Sequence, residues 1–274
     1  MPIDSRVRLA STRLVQAIGN LLKLVFHLHR LLRPRKRYRI PPLAFPLLSA
    51  RTPRRIPRIV WQTNYTPYVT LSIYVNYLFN RLIAPTHEFQ FCNDGECEAF
   101  VRDYYPELIE TYLSLQIGAA RADLWRILVL RTCGGIYLDM DAALSWPPEY
   151  LLDADQSELF IRAKDGKLTN YFLAAEPGHP TLAEVTAKIV DNIKANTLTS
   201  VYHMTGPTVI DLVARRTRLR IEPSNSVCRQ GQFTKKSFQY PEDMRGYWAF
   251  EQQMRPIVRK KVAPKTRRRV KRAG

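Results

Sequence analysis

The chain has 274 residues, 46% of them hydrophobic, and a formal net charge of +18. That length and apolar content fit one large globular domain with appendages, and they exclude a miniprotein that needs disulfide staples. The charge is uneven: residues 1–58 hold 14 Lys/Arg against one acid and residues 255–274 hold 10 against none, which leaves 59–254 near −5. The basic character therefore describes what the two ends touch rather than the fold of the middle.

Taken from the N-terminus, Leu14, Ile18, Leu21, Val25, Leu28 and Leu32 recur every three or four residues, with Arg13, Gln16, Asn20, Lys23, His27 and Arg30 following the same rhythm on the opposite face. This is a basic amphipathic helix within residues 1–40. Its length nearly matches a bilayer core of roughly 30 Å, but Lys23 stands at the middle, where a charge costs at least about 2.5–3.5 kcal/mol, so the helix is expected to lie in an interface rather than span it. The basic run "RPRKRYR", Arg33 to Arg39, and the basic tail 255–274 would add attraction to an anionic leaflet. Packing on the domain as an ordinary helix is the plainer alternative. Nucleic acid is a poor partner, because the basic runs contain little aromatic interleaving and no nucleic-acid-binding motif accompanies them. The proline-rich stretch "PPLAFPLLSARTPRRIP", 41–57, reads as a linker.

From Arg58 short apolar runs alternate with helical patterns, the signature of an α/β fold with a mostly parallel sheet. The spacing predicts strands over 58–62 and 88–92 and helices over 70–82, 96–104 and 107–116, with Asp94 as an N-cap. A longer helix follows over 119–135 and stops at Gly134 and Gly135. Asp123 and Arg126 lie three apart on it; alone, such a pair is most simply a surface ion pair.

After the glycines, "IYLDMD" reads as a strand whose alternation puts Asp139 and Asp141 on one face. Carboxylates at strand ends of an α/β sheet stand where ligands bind. Two of them together repel unless a cation shares the site, and hard oxygen ligands suit Mg²⁺ or Mn²⁺ holding a diphosphate. A D-x-D by itself also suits a structural turn or a phosphohydrolase of the haloacid dehalogenase type. The latter normally opens its domain with the motif and carries Thr or Val where this chain has Ala143.

The run "ARADLWRILVLRTCGGIYLDMD", 120–141, resembles glycosyltransferase family 32, the sugar-binding-region glycosyltransferases with a D-x-D motif, which are distantly similar to the glucosylating domains of large clostridial toxins. Weaker echoes are "IPRIVWQT", "YYPELIE", "TNYFLAAEPGHP" and "MTGPTVI". The resemblance implies a GT-A fold over 58–254, a nucleotide-sugar donor, a divalent metal and transfer with retention. It implies that Trp61 stacks on the nucleobase, that Asp123 and Arg126 hold donor sugar hydroxyls, and that Tyr137 lines the donor pocket. Asp139 would meet the ribose and the metal shell, Asp141 would ligate the metal, and Asn170 would face the sugar beside the acceptor. Taken alone, Trp61 reads as a core aromatic and Asn170 as a turn residue.

The family's C-terminal Ser-Trp pattern is altered in "YPEDMRGYWAF", 240–250, where Trp248 is kept and Asp243 is a candidate for the missing metal contact. The chain is thus expected to be a Mn²⁺- or Mg²⁺-dependent retaining transferase in capsule, lipopolysaccharide or other surface polysaccharide synthesis. A UDP-sugar is favoured over a GDP-sugar, the acceptor is a glycan or lipid-linked glycan, and the protein is placed peripherally at the cytoplasmic face of a membrane. Four cysteines without C-x-x-C spacing, and no small-residue cleavage site after the first apolar run, agree with that compartment. The rival is a membrane- or nucleic-acid-binding protein with a degenerate transferase fold.

Overall fold

The computed structural model describes residues 5–239 and 247–259; the side chains of helix residues before Val15, other than Arg13, are not described. A seven-stranded sheet organises the chain. In chain order its strands are β1 (Leu43–Ala44), β2 (Ile59–Thr63), β3 (Glu88–Cys92), β4 (Gly135–Leu138), β5 (Glu158–Arg162), β6 (Leu168–Ala175) and β7 (Ile221–Pro223), and the spatial order is β7-β5-β6-β4-β2-β3-β1. Strands β3, β2 and β4 run parallel, as do β5 and β7, while β6 is antiparallel to both neighbours and β1 is antiparallel to β3. Five strands therefore share one direction.

Besides two single-turn helices, Pro148–Leu151 and Ser224–Val227, the α-helices among the described residues are α1 (Ser5–Leu32), α2 (Leu71–Ile83), α3 (Asp94–Tyr104), α4 (Ile109–Ser114), α5 (Gly118–Cys133), α6 (Pro180–Ala195), α7 (Val201–Met204), α8 (Pro207–Ala214), α9 (Lys236–Gln239) and α10 (Trp248–Met254). Period-two alternation sends Trp61, Tyr137 and Leu173 into one core, under α5 and α6, and Val60, Ile136, Leu138 and Phe172 into a second core on the other face of the sheet. Both faces are covered, so the central strands are apolar at nearly every position.

Several sequence expectations need correction. The cap of α3 is Asn93, not Asp94: the Asn93 side chain accepts from the amides of Gly95 and Glu96, and the Glu96 carboxylate accepts from the Asn93 amide. Asn93 wins because this reciprocal box satisfies more orphan helix donors than a lone aspartate one residue later. The stretch 41–57 is not a free linker, since β1 within it pairs with β3 and Ile56 is buried. Nor does the domain stop at 254: Ile257 and Val258 are buried, and Val258 bridges Leu115. Residues 260–274 and 240–246, including Asp243, lie outside the described residues.

The N-terminal helix packs on the domain, but not through the stripe expected. Val15, Leu22 and buried Phe26 face Phe233, Phe238 and the α2 residues Val75 and Phe79. The expected stripe points outward: Ile18, Leu21, Val25, Leu28 and Leu32 are exposed. Among the described residues, no helix is long and apolar enough to cross a membrane.

A buried histidine gives the fold an acid limit. Burial is the main force that pushes His87 down to about 4; Arg58 and Arg54 act in the same direction against the nearby Glu149 carboxylate. Because the folded value lies below 6.5, the unfolded chain takes up this proton first on acidification. The stability advantage of wild type over His87→Gln should therefore shrink by about 3 kcal/mol as pH falls from about 6.5 to 4. Thermal melts of the two proteins across that range check it, and a constant difference would contradict it.

Candidate active site

The glycine pair after α5 answers a geometric demand. Gly134 has φ 66° and Gly135 φ 104°, a region other residues avoid, and a Cβ on Gly135 would meet the Ile59 carbonyl oxygen at 2.7 Å. Glycine alone lets the chain leave α5 and press β4 against β2. β4 then ends at Leu138, one residue before the first aspartate.

The two aspartates are not on a strand. Asp139 to Asp141 form a tight turn closed by Ala142 N–H donating to the Asp139 carbonyl at 3.0 Å. The period-two expectation fails here because α2 grips the turn from outside. Asn76 Nδ2 donates to the carbonyls of Met140 and Ala142 at 2.9 and 2.8 Å. Asn80 Nδ2 donates to Ala142 at 2.8 Å, and its Oδ1 accepts from Leu144 N–H at 2.9 Å. Both asparagines are fully buried. Their signal in the sequence is a pair of amides four apart on an otherwise apolar helix. Asn80→Ala should cost about 1–3 kcal/mol by taking the Asn80 acceptor from the buried Leu144 amide and one of two side-chain donors from the Ala142 carbonyl, and should reduce activity by loosening the turn; chemical denaturation and turnover assays measure both.

Asp123 and Arg126 are a buried pair, not a surface one, at 6% and 5% exposure. Arg126 Nη2 lies 3.2 Å from Asp123 Oδ1 and its Nη1 lies 3.4 Å from Asp139 Oδ1. Its Nη1 also donates to the Asn170 carbonyl at 2.7 Å. Its guanidinium stacks over the Tyr137 ring, 4.4 Å from the centroid. Asp123 in turn accepts from Asn170 Nδ2 at 2.8 Å and from Thr205 Oγ1 at 2.9 Å. Tyr137 donates its hydroxyl proton to Asp139 Oδ1 at 2.7 Å. One cation thus ties two carboxylates, a tyrosine ring and a strand carbonyl into a fixed frame. Burial pushes Asp123 up to about 6 against the opposing pull of Arg126 and its two hydrogen bonds, so it remains ionised at pH 7.

Asp141 stands differently. Among the described residues its oxygens accept from neutral amide donors, Gln230 Nε2 at 3.1 Å and Gln239 Nε2 at 2.8 Å. Burial, then the neighbouring charge of Asp139, push it up to about 6. A carboxylate at neutral pH beside another carboxylate, with no cationic partner among the described residues, suits a hard divalent cation. Among the described residues no cluster of three or more His, Cys, Asp or Glu forms a metal cage, and the two aspartates are the candidate ligands in this part of the chain.

The structure brings together Asp123, Arg126, Tyr137, Asp139 and Asn170. Trp61 is 7% exposed, its Nε1 donates to the Gly134 carbonyl at 2.9 Å and its ring meets Trp125 edge to face, so little of its ring is presented for the expected stacking on a nucleobase. Tyr137 is likewise buried, and what it does is hold Asp139. Trp248 opens α10 and packs against the core under α5. Thr205, Gln230, Gln239, Asn76 and Asn80 are residues that local spacing could not connect to the motif; Thr205 alone lies in a quoted stretch, "MTGPTVI".

Residues 61–158 match the family described as glycosyltransferase sugar-binding region containing DXD motif. This segment is a DXD-type glycosyltransferase region. The initiation-specific alpha-1,6-mannosyltransferase of Schizosaccharomyces pombe is 27% identical over 159 residues, covering 50% of this chain and 40% of that protein. Inositol phosphoceramide mannosyltransferase 3 of the same organism is 26% identical over 164 residues, 58% of this chain and 44% of that protein. The chain spans less than half the length of these relatives. A solved structure titled PaToxG Glycosyltransferase superposes with a TM-score of 0.50 at 14% identity, over 75% of this chain and 79% of that one. That likeness establishes the fold, a glycosyltransferase fold of GT-A type.

Proposed function

We propose that the protein transfers a sugar from a nucleoside-diphosphate donor to a hydroxyl group of a glycan or glycolipid acceptor. The observation that carries this reading is the arrangement at the end of β4, where a buried Asp123–Arg126–Asp139 frame adjoins Asp141, a carboxylate that among the described residues is held by neutral amides. Asp141 with Asp139 would hold Mn²⁺ or Mg²⁺, which supplies electrostatic stabilisation of the departing nucleoside diphosphate.

The chain's own residues do the positioning. Asn170, Thr205 and Arg126 fix the rotamer of Asp123, whose oxygens keep lone pairs for a sugar hydroxyl. Tyr137 and Arg126 aim Asp139 at the mouth of the site, where its side chain is 24% exposed. Retention of configuration follows if the acceptor proton passes to the departing phosphate on the same face, which requires no separate strong base. The similarity to two mannosyltransferases favours a mannosyl donor, so GDP-mannose belongs beside the UDP-sugars that the sequence favours. The acceptor is placed in surface polysaccharide synthesis, at the cytoplasmic face of a membrane.

The test is nucleoside diphosphate release from a panel of UDP- and GDP-sugars with Mn²⁺, with Mg²⁺ and with chelator, alongside donor binding by thermal shift. Release or binding that depends on the metal supports the proposal. A protein that neither binds nor hydrolyses any donor, with metal present, would refute it.

A further inference from the structure

Helix α1 has two apolar faces, and the domain covers one. On the inner face, Gly19 lies so close to Gln232 that an added Cβ would stand 2.7 Å from the Gln232 carbonyl oxygen. Gln232 Nε2 donates to the Val15 carbonyl at 2.9 Å, Arg30 Nη1 to the Ser237 carbonyl at 2.8 Å, and Phe26 meets Phe238 edge to face. The helix is therefore a fixed part of the domain. On the outer face, Ile18, Leu21, Leu24, Leu28, Leu31 and Leu32 are between 45% and 72% exposed. A contiguous ridge of six large apolar side chains is far more than a soluble surface ordinarily shows.

The helix and the segment after it carry charges of one sign: no acidic residue occurs from Ser5 to Pro57. At the C-terminal end of α1 a cleft is lined by His29, Arg30, Arg33 and Lys36 among the described residues. Arg13 is exposed further up the helix. Leucines that lie along a helix, flanked and terminated by cations, match a surface in which acyl chains meet the ridge and phosphates meet the charges. A second copy of the chain is a poorer occupant, because two such helices, neither of which holds an acid from Ser5 onward, would bring basic flanks face to face.

We propose that the outer face of α1, with the cationic cleft at its end, is a docking surface for an anionic lipid bilayer, on which the helix lies flat. The docking helix is also joined to the reaction site. Its inner face holds the segment 232–239, and Gln239 at the end of that segment holds Asp141. A docked α1 would thus set the orientation of the DXD turn relative to the bilayer. The use of that orientation rests on the transferase reading; the docking itself does not.

The experiment is co-sedimentation of the full chain with vesicles of phosphatidylcholine containing phosphatidylglycerol, and of phosphatidylcholine alone. Wild type should pellet with the anionic vesicles, leave them at high salt, and stay in solution with the neutral ones. Leu24→Ser/Leu28→Ser and Arg33→Gln/Lys36→Gln, all at exposed positions, should each weaken binding by about ten-fold or more while thermal melts remain wild-type. Asp141→Asn should bind as wild type, which separates failure of this proposal from failure of the transferase reading. Wild type that does not pellet with anionic vesicles would overturn the proposal, as would either double variant binding undiminished. If sedimentation velocity shows a dimer that Leu24→Ser/Leu28→Ser dissociates, the ridge covers a second copy and the bilayer assignment falls. Should the leucine variant fail to fold, the Arg33→Gln/Lys36→Gln comparison decides alone.

Discussion

Asp141→Asn is expected to abolish sugar transfer and, in the absence of metal, to make the protein more stable at pH 7. The two effects have one cause. A carboxylate raised to about 6 from 3.8 is held in a place that disfavours its charge. The sign follows from the protons: below about pH 4 both folded and unfolded chains carry it, and between about 4 and 6 the unfolded chain releases it first, so stability falls as pH rises and then stays low. Two units correspond to about 3 kcal/mol, an upper bound on what the asparagine regains. Turnover should drop by at least about 10²–10³-fold, the usual cost of losing a charge aimed at the departing group. Melting curves of both proteins at pH 5 and pH 7, with chelator and with Mn²⁺, check this. Added Mn²⁺ should raise the melting temperature of wild type at pH 7 and leave the variant nearly unchanged. A wild type that is more stable than the variant in chelator at pH 7 would show that Asp141 is comfortable without a cation and would remove the main reason to place one there.

The parts of this architecture legible in the sequence are those whose cause is local. β3 spans the five residues that alternation assigned, and α2 and α5 fall within a residue or two of their expected ends, because a run of apolar spacing or a glycine stop lies inside each segment. The 123/126 pairing was visible for the same reason, as neighbours on one helical face. Its burial was not, since α5 is covered on all sides and so lacks a polar stripe that would have shown which side the pair occupies. What local pattern could not supply comes from distant chain. The turn at Asp139 depends on Asn76 and Asn80, and Asp141 is held from Gln230 and Gln239. Helix α1 shows the opposite difficulty. Its outer leucines have the stronger periodicity, so they mask the inner line of Val15, Gly19, Leu22 and Phe26 that fastens it to the domain.

Arg126→Met is expected to be the most destabilising single change in the site, at about 3–5 kcal/mol, since it leaves Asp123 buried without its cation and Asp139 held by Tyr137 alone of its two side-chain partners. Methionine keeps most of the length and the contact with the Tyr137 ring, so the loss measures charge rather than volume. Arg126→Lys should recover little, because one ammonium cannot reach Asp123, Asp139 and the Asn170 carbonyl together as the planar guanidinium does. The informative protein is the double variant Asp123→Asn/Arg126→Met. Removing the stranded carboxylate should restore a large part of the stability while leaving transfer at the level of Arg126→Met, because Asp139 still lacks the cation that aims it together with Tyr137. Denaturant titration and turnover on the same four proteins, wild type, each single variant and the double, form the cycle. If the double variant regained activity along with stability, Arg126 would serve only to neutralise Asp123, and its contact with Asp139 would be incidental to the reaction.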